Sequence, residues 1–264
     1  MATKDLGVRF TEEKYATKNE VSRDLGISLI DNIWSNILAY RSTFNRILTL
    51  RRIEGNKFTF CYCASISDFI NQVEFKAIRA MQETMKATNS NKDDKALFEK
   101  QAYVESLRYV AKVHKLDVTD AYLRSIIDDE VKDLTNSYAI LRNYYNALKY
   151  VENAFVNPVD DNFLAEIFAR INNLEEIVTF YRTDEDKSKD NRVLIDRIYS
   201  SAPTGLIESM MNTLFDFIAN SSLFVVTKAV ITYYYINYVK PFPQFNDEIA
   251  VLMMKAVIAH NDIG

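Results

Sequence analysis

The chain has 264 residues, of which 48% are hydrophobic and 26% charged, with a net charge of −4 and few glycines or prolines. This mixture is typical of a globular protein, and the scarcity of helix breakers favours long helices with short connections. The acidic balance excludes a chain-wide attraction to nucleic acid or anionic lipid. No apolar run reaches the ~20 residues of a membrane span, and residues 1–11 lack the apolar core of a signal peptide. We therefore expect a cytoplasmic protein that binds neither nucleic acid nor membrane.

In the first half of the chain, the apolar pattern predicts mainly helices. Residues 1–19 are polar and indicate an extended arm, whereas apolar residues recur at helical spacing from about 22 to 50. Gly55 would follow the end of that long helix, and the alternating residues 57–64 predict a short extended segment. Two further helices are predicted at about 69–81 and 94–115.

Residues suited to helix starts mark the second half of the chain. Thr119 and Asp160 each precede an apolar periodic run and are typical N-cap residues. Residues 181–195 form a charged loop that ends in a short β-like run at 193–195. The predicted helices lie at about 119–134, 135–151, 160–172, 204–220, 223–239 and 247–260.

Cysteine and histidine are too sparse to predict a metal site. Cys61 and Cys63 are two residues apart, which is poor disulfide geometry, and His114 and His260 are distant in sequence. A metal site needs about four ligands. We expect two partly buried thiols and no bound metal.

The connection between the last two predicted helices carries the strongest functional signal. It reads Lys-Pro-Phe-Pro-Gln-Phe-Asn-Asp-Glu over residues 240–248, and an apolar helix follows at once. This loop resembles the signature of Fic-domain proteins, in which His-Pro-Phe-x-x-Gly-Asn-Gly-Arg joins two core helices. Pro241, Phe242 and Asn246 match that signature directly.

Weaker matches in the right order extend the resemblance to most of the chain. They are Ile53-Glu54-Gly55-Asn56, Asn143-Tyr144, Ala147-Leu148, Tyr181-Arg182, Val193 to Ile195, Ala202-Pro203, Ala229, Ile236 and Val239. The resemblance implies an all-α, Fic-like helical bundle with a short β-hairpin flap, preceded by an N-terminal helical region. The corresponding division is residues 1–118 for the N-terminal region and 119–264 for the Fic-like domain.

Most of the residues that perform the family's chemistry are replaced in this chain. In Fic proteins the motif histidine deprotonates a hydroxyl of a target protein, which attacks the α-phosphorus of ATP, while glycines and arginines hold the phosphates. Lys240 occupies the histidine position and is a cation at neutral pH. Phe245 and Asp247 replace the two glycines, and Glu248 and Val251 replace the two arginines.

Two acidic features allow more than one interpretation. Asn246 is expected to cap the final helix, with Asp247 and Glu248 stabilising its first turn; a divalent-cation pair is the alternative, although no third ligand is evident. Glu54 and Gly55 resemble the inhibitory element of two-domain Fic proteins. The family's inhibitory ion pair requires an arginine where Val251 stands, so we expect Glu54 to be a surface residue at a helix end or a partner of Arg51 or Lys240.

Together these features predict a catalytically degenerate Fic protein, a pseudoenzyme that acts by binding an unknown protein partner or keeps a vestigial nucleotide cleft. No cofactor is expected, and ATP with Mg²⁺ would bind only if the cleft still functions. One alternative is an AMPylation-like nucleotidyltransferase with altered chemistry or donor. Another is a structural module that forms homodimers. The sequence leaves open whether the natural chain continues past Gly264 into the winged helix that many two-domain Fic proteins carry.

Overall fold

The structure is a computed structural model that describes residues 3–88, 92–131, 136–176, 180–186 and 201–260. The chain divides into two compact units, Met1–Ile78 and Arg79–Gly264. The division falls inside the long helix α4, Ala64–Thr88. The division at 118/119 that the resemblance suggests stays a prediction about domains.

The first unit combines short helices with one β-hairpin. Its elements before α4 are α1 Thr3–Val8, a single π-helical turn Arg9–Glu13, α2 Lys18–Leu25, α3 Asp31–Ser42, β1 Asn45–Arg51 and β2 Lys57–Cys61. The extended segment predicted near residue 57 is confirmed as β2, which pairs antiparallel with β1.

Two expectations for this unit were wrong. Within the stretch predicted as an extended arm, residues 3–19 are mostly helical, and Phe10 and Ala16 are buried in a small core with residues of α2 and α3. The helix predicted from about 22 to 50 is interrupted at Gly26, whose left-handed conformation terminates α2. It resumes as α3, Asp31–Ser42, and does not reach residue 50. From Asn45 the chain forms strand β1. Leu48 and Leu50 point to the same face of the strand and are buried, and the residue between them is exposed.

The second unit is helical in its described residues. After α4 it contains α5 Lys92–Val113, α6 Asp120–Ile127, α7 Asn136–Asn153, α8 Asp161–Asn172, α9 Thr204–Asn220, α10 Val225–Val239 and α11 Asn246–Ala259. The predicted starts of α6 and α8 are confirmed, since Thr119 Oγ1 accepts a hydrogen bond from the Tyr122 amide and Asp160 Oδ1 accepts one from the Phe163 amide. The β-like run predicted at 193–195 lies outside the described residues.

Helix α11 lies at the centre of this unit. It packs against α7, α8 and α10, and α5 packs against α6 and α7. Its buried apolar side chains share one broad face of the helix; they are Ile249, Ala250, Leu252, Met253, Ala256 and Val257. None of the residues of α11 is exposed, as expected of a core helix. Because α10 and α11 pack together, the loop between them is held at both ends by buried helices. None of the helices in the described ranges combines the length and apolar character that a membrane crossing requires.

Candidate functional site

Two left-handed residues bracket the loop between α10 and α11. Lys240 ends α10 with φ 48° and ψ 65°, and its amide donates to the Ile236 carbonyl at 2.7 Å. Phe245 precedes α11 with φ 60° and ψ 27°. A residue with a Cβ in this conformation costs roughly 1–2 kcal/mol, and glycine avoids that cost. Phe245 therefore keeps a backbone geometry that suits glycine while placing an aromatic ring there.

The side chain of Asn246 is bonded to the backbone of the loop. It is almost fully buried; Oδ1 accepts from the Phe242 amide at 3.0 Å, and Nδ2 donates to the Phe242 carbonyl at 2.8 Å. The expectation that Asn246 caps α11 was wrong, since Phe245 occupies the N-cap and Asn246 is the first helical residue. The amide side chain satisfies the buried backbone of the loop instead of the helix start.

An aromatic cluster anchors the loop. Phe242 is fully buried, and its ring stacks on Phe168 of α8 at a centroid distance of 5.4 Å. Phe180 and Tyr181 lie against the same ring, at 6.3 and 6.1 Å. Such pairs add about 1 kcal/mol each beyond the burial of apolar area. The loop is thus held by side-chain packing as well as by backbone hydrogen bonds.

Arg182 joins three separate segments at the loop. Its amide donates to the Pro241 carbonyl at 2.8 Å, and its Nε donates to the Lys240 carbonyl at 2.7 Å. Its Nη2 donates to the carbonyl of Ala202, whose amide donates to Val239 at 3.2 Å. Residues that the resemblance matched only in sequence order are therefore in contact with the loop.

Asp247 accepts hydrogen bonds from two tyrosines on different helices. Tyr233 of α10 donates to Oδ1 at 2.6 Å, and Tyr109 of α5 donates to Oδ2. The amide of Asn237 reaches Oδ1 at 3.4 Å. Tyr109 was not found from the sequence, because nothing local links it to a residue 138 positions away.

Glu248 is paired with His114. The glutamate is 4% exposed, and its Oε1 lies 2.6 Å from Nε2 of His114, which follows α5. The histidine ring also contacts Phe245, with 5.9 Å between ring centroids. From the sequence we weighed His114 only as a metal ligand and did not predict this contact. In the described chain, no group of three or more His, Cys, Asp or Glu side chains could hold a metal ion.

The site is an anionic cluster surrounded by hydroxyl and imidazole donors. Burial and the hydrogen bond to Asp247 raise the pKa of Tyr233 to about 12. Burial likewise raises the pKa of Tyr109, and burial next to both carboxylates raises that of Tyr144. These phenols therefore remain protonated donors at neutral pH, and the acids also lie favourably in the first turn of α11.

The Tyr233 hydrogen bond predicts a loss of stability in strong alkali. Because its pKa lies above the ordinary value of 10.0, the stabilisation is complete below pH 10 and is lost as pH rises through about 12. Tyr233→Phe should remove part of this pH dependence, measured as the change in urea midpoint between those pH values. Tyr234→Phe, at an exposed neighbouring position, is the control and should not change it. An unaltered pH dependence in Tyr233→Phe would contradict the assignment.

The remaining predicted site residues lie outside the loop between α10 and α11. Val251 is half-buried on α11. Glu54 and Gly55 are exposed in the β1–β2 turn of the first unit, so their placement at a helix end was wrong. Gly55 has a φ of 88°, which a turn there requires and which favours glycine.

The comparisons with known proteins give matches only at the level of structure. No protein-family model matches the chain, and no curated protein matches its sequence. A Fic domain containing signalling protein from Bacteroides thetaiotaomicron VPI-5482 superposes with a TM-score of 0.56 at 16% identity, over 70% of this chain and 74% of that one.

A second solved structure gives the same result. It is a Fic family protein from Desulfovibrio desulfuricans G20, with a TM-score of 0.50 and 14% identity over 71% of this chain. The match spans 57% of that protein's length. At such low identity the likeness concerns the fold. The chain thus has the fold of Fic-domain proteins.

Proposed function

We propose that this protein is a catalytically degenerate Fic-fold protein that acts by binding a protein partner and does not transfer nucleotides. The observation that carries the proposal is the pair of carboxylates at the start of α11. Asp247 and Glu248 stand where the family's phosphate-binding residues would be, and each is bonded to donors from other helices.

Electrostatics argues against a polyphosphate at this helix start. A carboxylate about 4 Å from a phosphate charge repels it by about 4 kcal/mol at an effective dielectric constant of about 20. The helix dipole supplies only about 0.3–1 kcal/mol in the opposite direction. Repulsion by Asp247 alone would therefore exceed the attraction that the end of α11 offers.

The site also lacks an evident general base at the family's position. Lys240 occupies that position, and its backbone carbonyl accepts the Arg182 Nε hydrogen bond. His114 lies near the start of α11, but its Nε2 is bonded to Glu248. A base must reach the proton that it removes, and neither group supplies the family's histidine geometry.

A role in protein binding is consistent with the exposed surface of α10. Val230 and Tyr234 are four residues apart and therefore share a helix face, and they are 54% and 53% exposed. Contiguous apolar surface is found at sites where proteins associate, and this pair could contribute to such a surface. The loop is held by its own hydrogen bonds, so this surface would not depend on a bound nucleotide.

Nucleotide binding and transfer provide the test. We expect millimolar ATP with Mg²⁺ to leave the thermal midpoint unchanged, and no label from [α-³²P]ATP to enter the protein or lysate proteins. An active Fic transferase assayed in parallel would show that the labelling conditions work. Stabilisation by ATP together with protein labelling would contradict the proposal.

The same assay distinguishes the alternative of a transferase with altered chemistry. That alternative needs Lys240 as a phosphate-binding cation or a deprotonated base. Labelling from any nucleotide of a panel that disappears in Lys240→Ala, and persists in the surface control Lys112→Ala, would favour it.

A further inference from the structure

A cavity of about 540 Å³ lies between α5, α7 and α11, along the half of α11 that is remote from the motif loop. Its volume is within the usual range for small-molecule sites, about 300–1,000 Å³. The walls include the buried side chains Leu148 and Val151, together with Ile258. Phe155 also lines it and is 52% exposed, so a ligand could cover apolar surface there.

One cation faces this apolar space. The ammonium group of Lys255 donates to the Ser106 hydroxyl at 2.9 Å. Burial lowers the pKa of Lys255, and the charge of Glu152 opposes that shift. An ammonium group has three donors, and the neutral Ser106 hydroxyl offers no compensating charge. The side chain is therefore suited to bind an anionic group in the cavity.

Two carboxylates line the same cavity. Glu152 of α7 accepts a hydrogen bond from Tyr103 at 2.5 Å, and Lys149 donates to that tyrosine oxygen at 3.0 Å. Glu99 of α5 lies 3.8 Å from Lys95. Both glutamates are exposed, so each can still accept from a ligand. These glutamates would repel a purely anionic ligand. A ligand with one negative and one positive charge could pair with Lys255 and with the glutamates at the same time.

We infer that this cavity binds an apolar amino acid as its zwitterion. The ligand carboxylate pairs with Lys255, its ammonium group faces Glu152 and Glu99, and its side chain covers the apolar wall. The inference is independent of the proposed function, since none of these residues belongs to the motif loop.

Calorimetry with four probes tests the charge pattern on the wild-type protein. L-phenylalanine should bind more tightly than 3-phenylpropionate, which lacks the ammonium group, and than phenethylamine, which lacks the carboxylate. L-serine should not bind measurably. Equal affinity for all three aromatic probes, or no heat with L-phenylalanine at millimolar concentration, would overturn the inference.

Two substitutions test which side chain pairs with each charge of the ligand. Lys255→Met should weaken L-phenylalanine and 3-phenylpropionate by about tenfold or more and leave phenethylamine unchanged. Glu152→Gln should weaken L-phenylalanine and phenethylamine by about two- to fivefold. Lys112→Met, at an exposed position on α5, is the matched control. Undiminished binding of L-phenylalanine to Lys255→Met would overturn the assignment. If that variant does not fold, the probe series on the wild-type protein is the deciding test.

Discussion

Phe242→Ala is expected to lower the free energy of unfolding by about 3–5 kcal/mol, the usual range for removing a buried phenylalanine. The ring is fully buried and contacts Phe168, Phe180 and Tyr181, so its loss leaves a cavity between α8 and the loop. Urea denaturation followed by far-ultraviolet circular dichroism measures the change. Phe224→Ala is the matched control; that ring is 51% exposed, and its loss should cost less than about 1 kcal/mol.

Asn246→Ala extends the same experiment. Removing the side chain leaves the buried amide and carbonyl of Phe242 without these partners, at an expected cost of about 2–3 kcal/mol. Phe242→Ala and Asn246→Ala both remove interactions made by residue 242, the first from its ring and the second from its backbone. The double variant should therefore lose less stability than the sum of the two single losses. Costs that add without coupling would mean that the packing of Phe242 and its backbone bonds are independent.

The order of helices in the second unit could be predicted because its signals are local. Thr119 and Asp160 are capping residues directly before apolar runs, and both cap the helices expected of them. The apolar runs of α10 and α11 likewise predicted core helices on either side of the loop. The resemblance matched Tyr181-Arg182 only in sequence order, and the structure adds that Arg182 contacts the loop.

The features that were missed depend on contacts between distant residues. Asn246 is a good N-cap by residue type, yet its side chain reaches back to Phe242 because the buried loop offers two unsatisfied backbone groups. The β1 segment contains a run of apolar residues that fits a helix or a strand, and only pairing with β2 decides between them. Tyr109 and His114 approach α11 through tertiary packing, which no local pattern predicts.

His114→Ala is expected to lower the free energy of unfolding by about 2–3 kcal/mol. Glu248 is 4% exposed and His114 supplies a hydrogen bond to its carboxylate, so the substitution leaves a buried charge without that partner. The value lies below that of a fully buried ion pair because the His114 side chain retains 28% exposure. Circular dichroism in urea provides the measurement, with Lys112→Ala, at an exposed position two residues earlier, as the control.

The companion variant Glu248→Gln separates charge from packing. A glutamine can still accept a hydrogen bond from His114, so this change alone should cost less than His114→Ala. Adding Glu248→Gln to His114→Ala should restore part of the lost stability, because the buried charge is then absent. If the double variant is instead less stable than His114→Ala, the carboxylate stabilises α11 by itself, through the first-turn position rather than through His114. In the first case Glu248 depends on His114, the residue that follows α5, to stabilise its buried carboxylate.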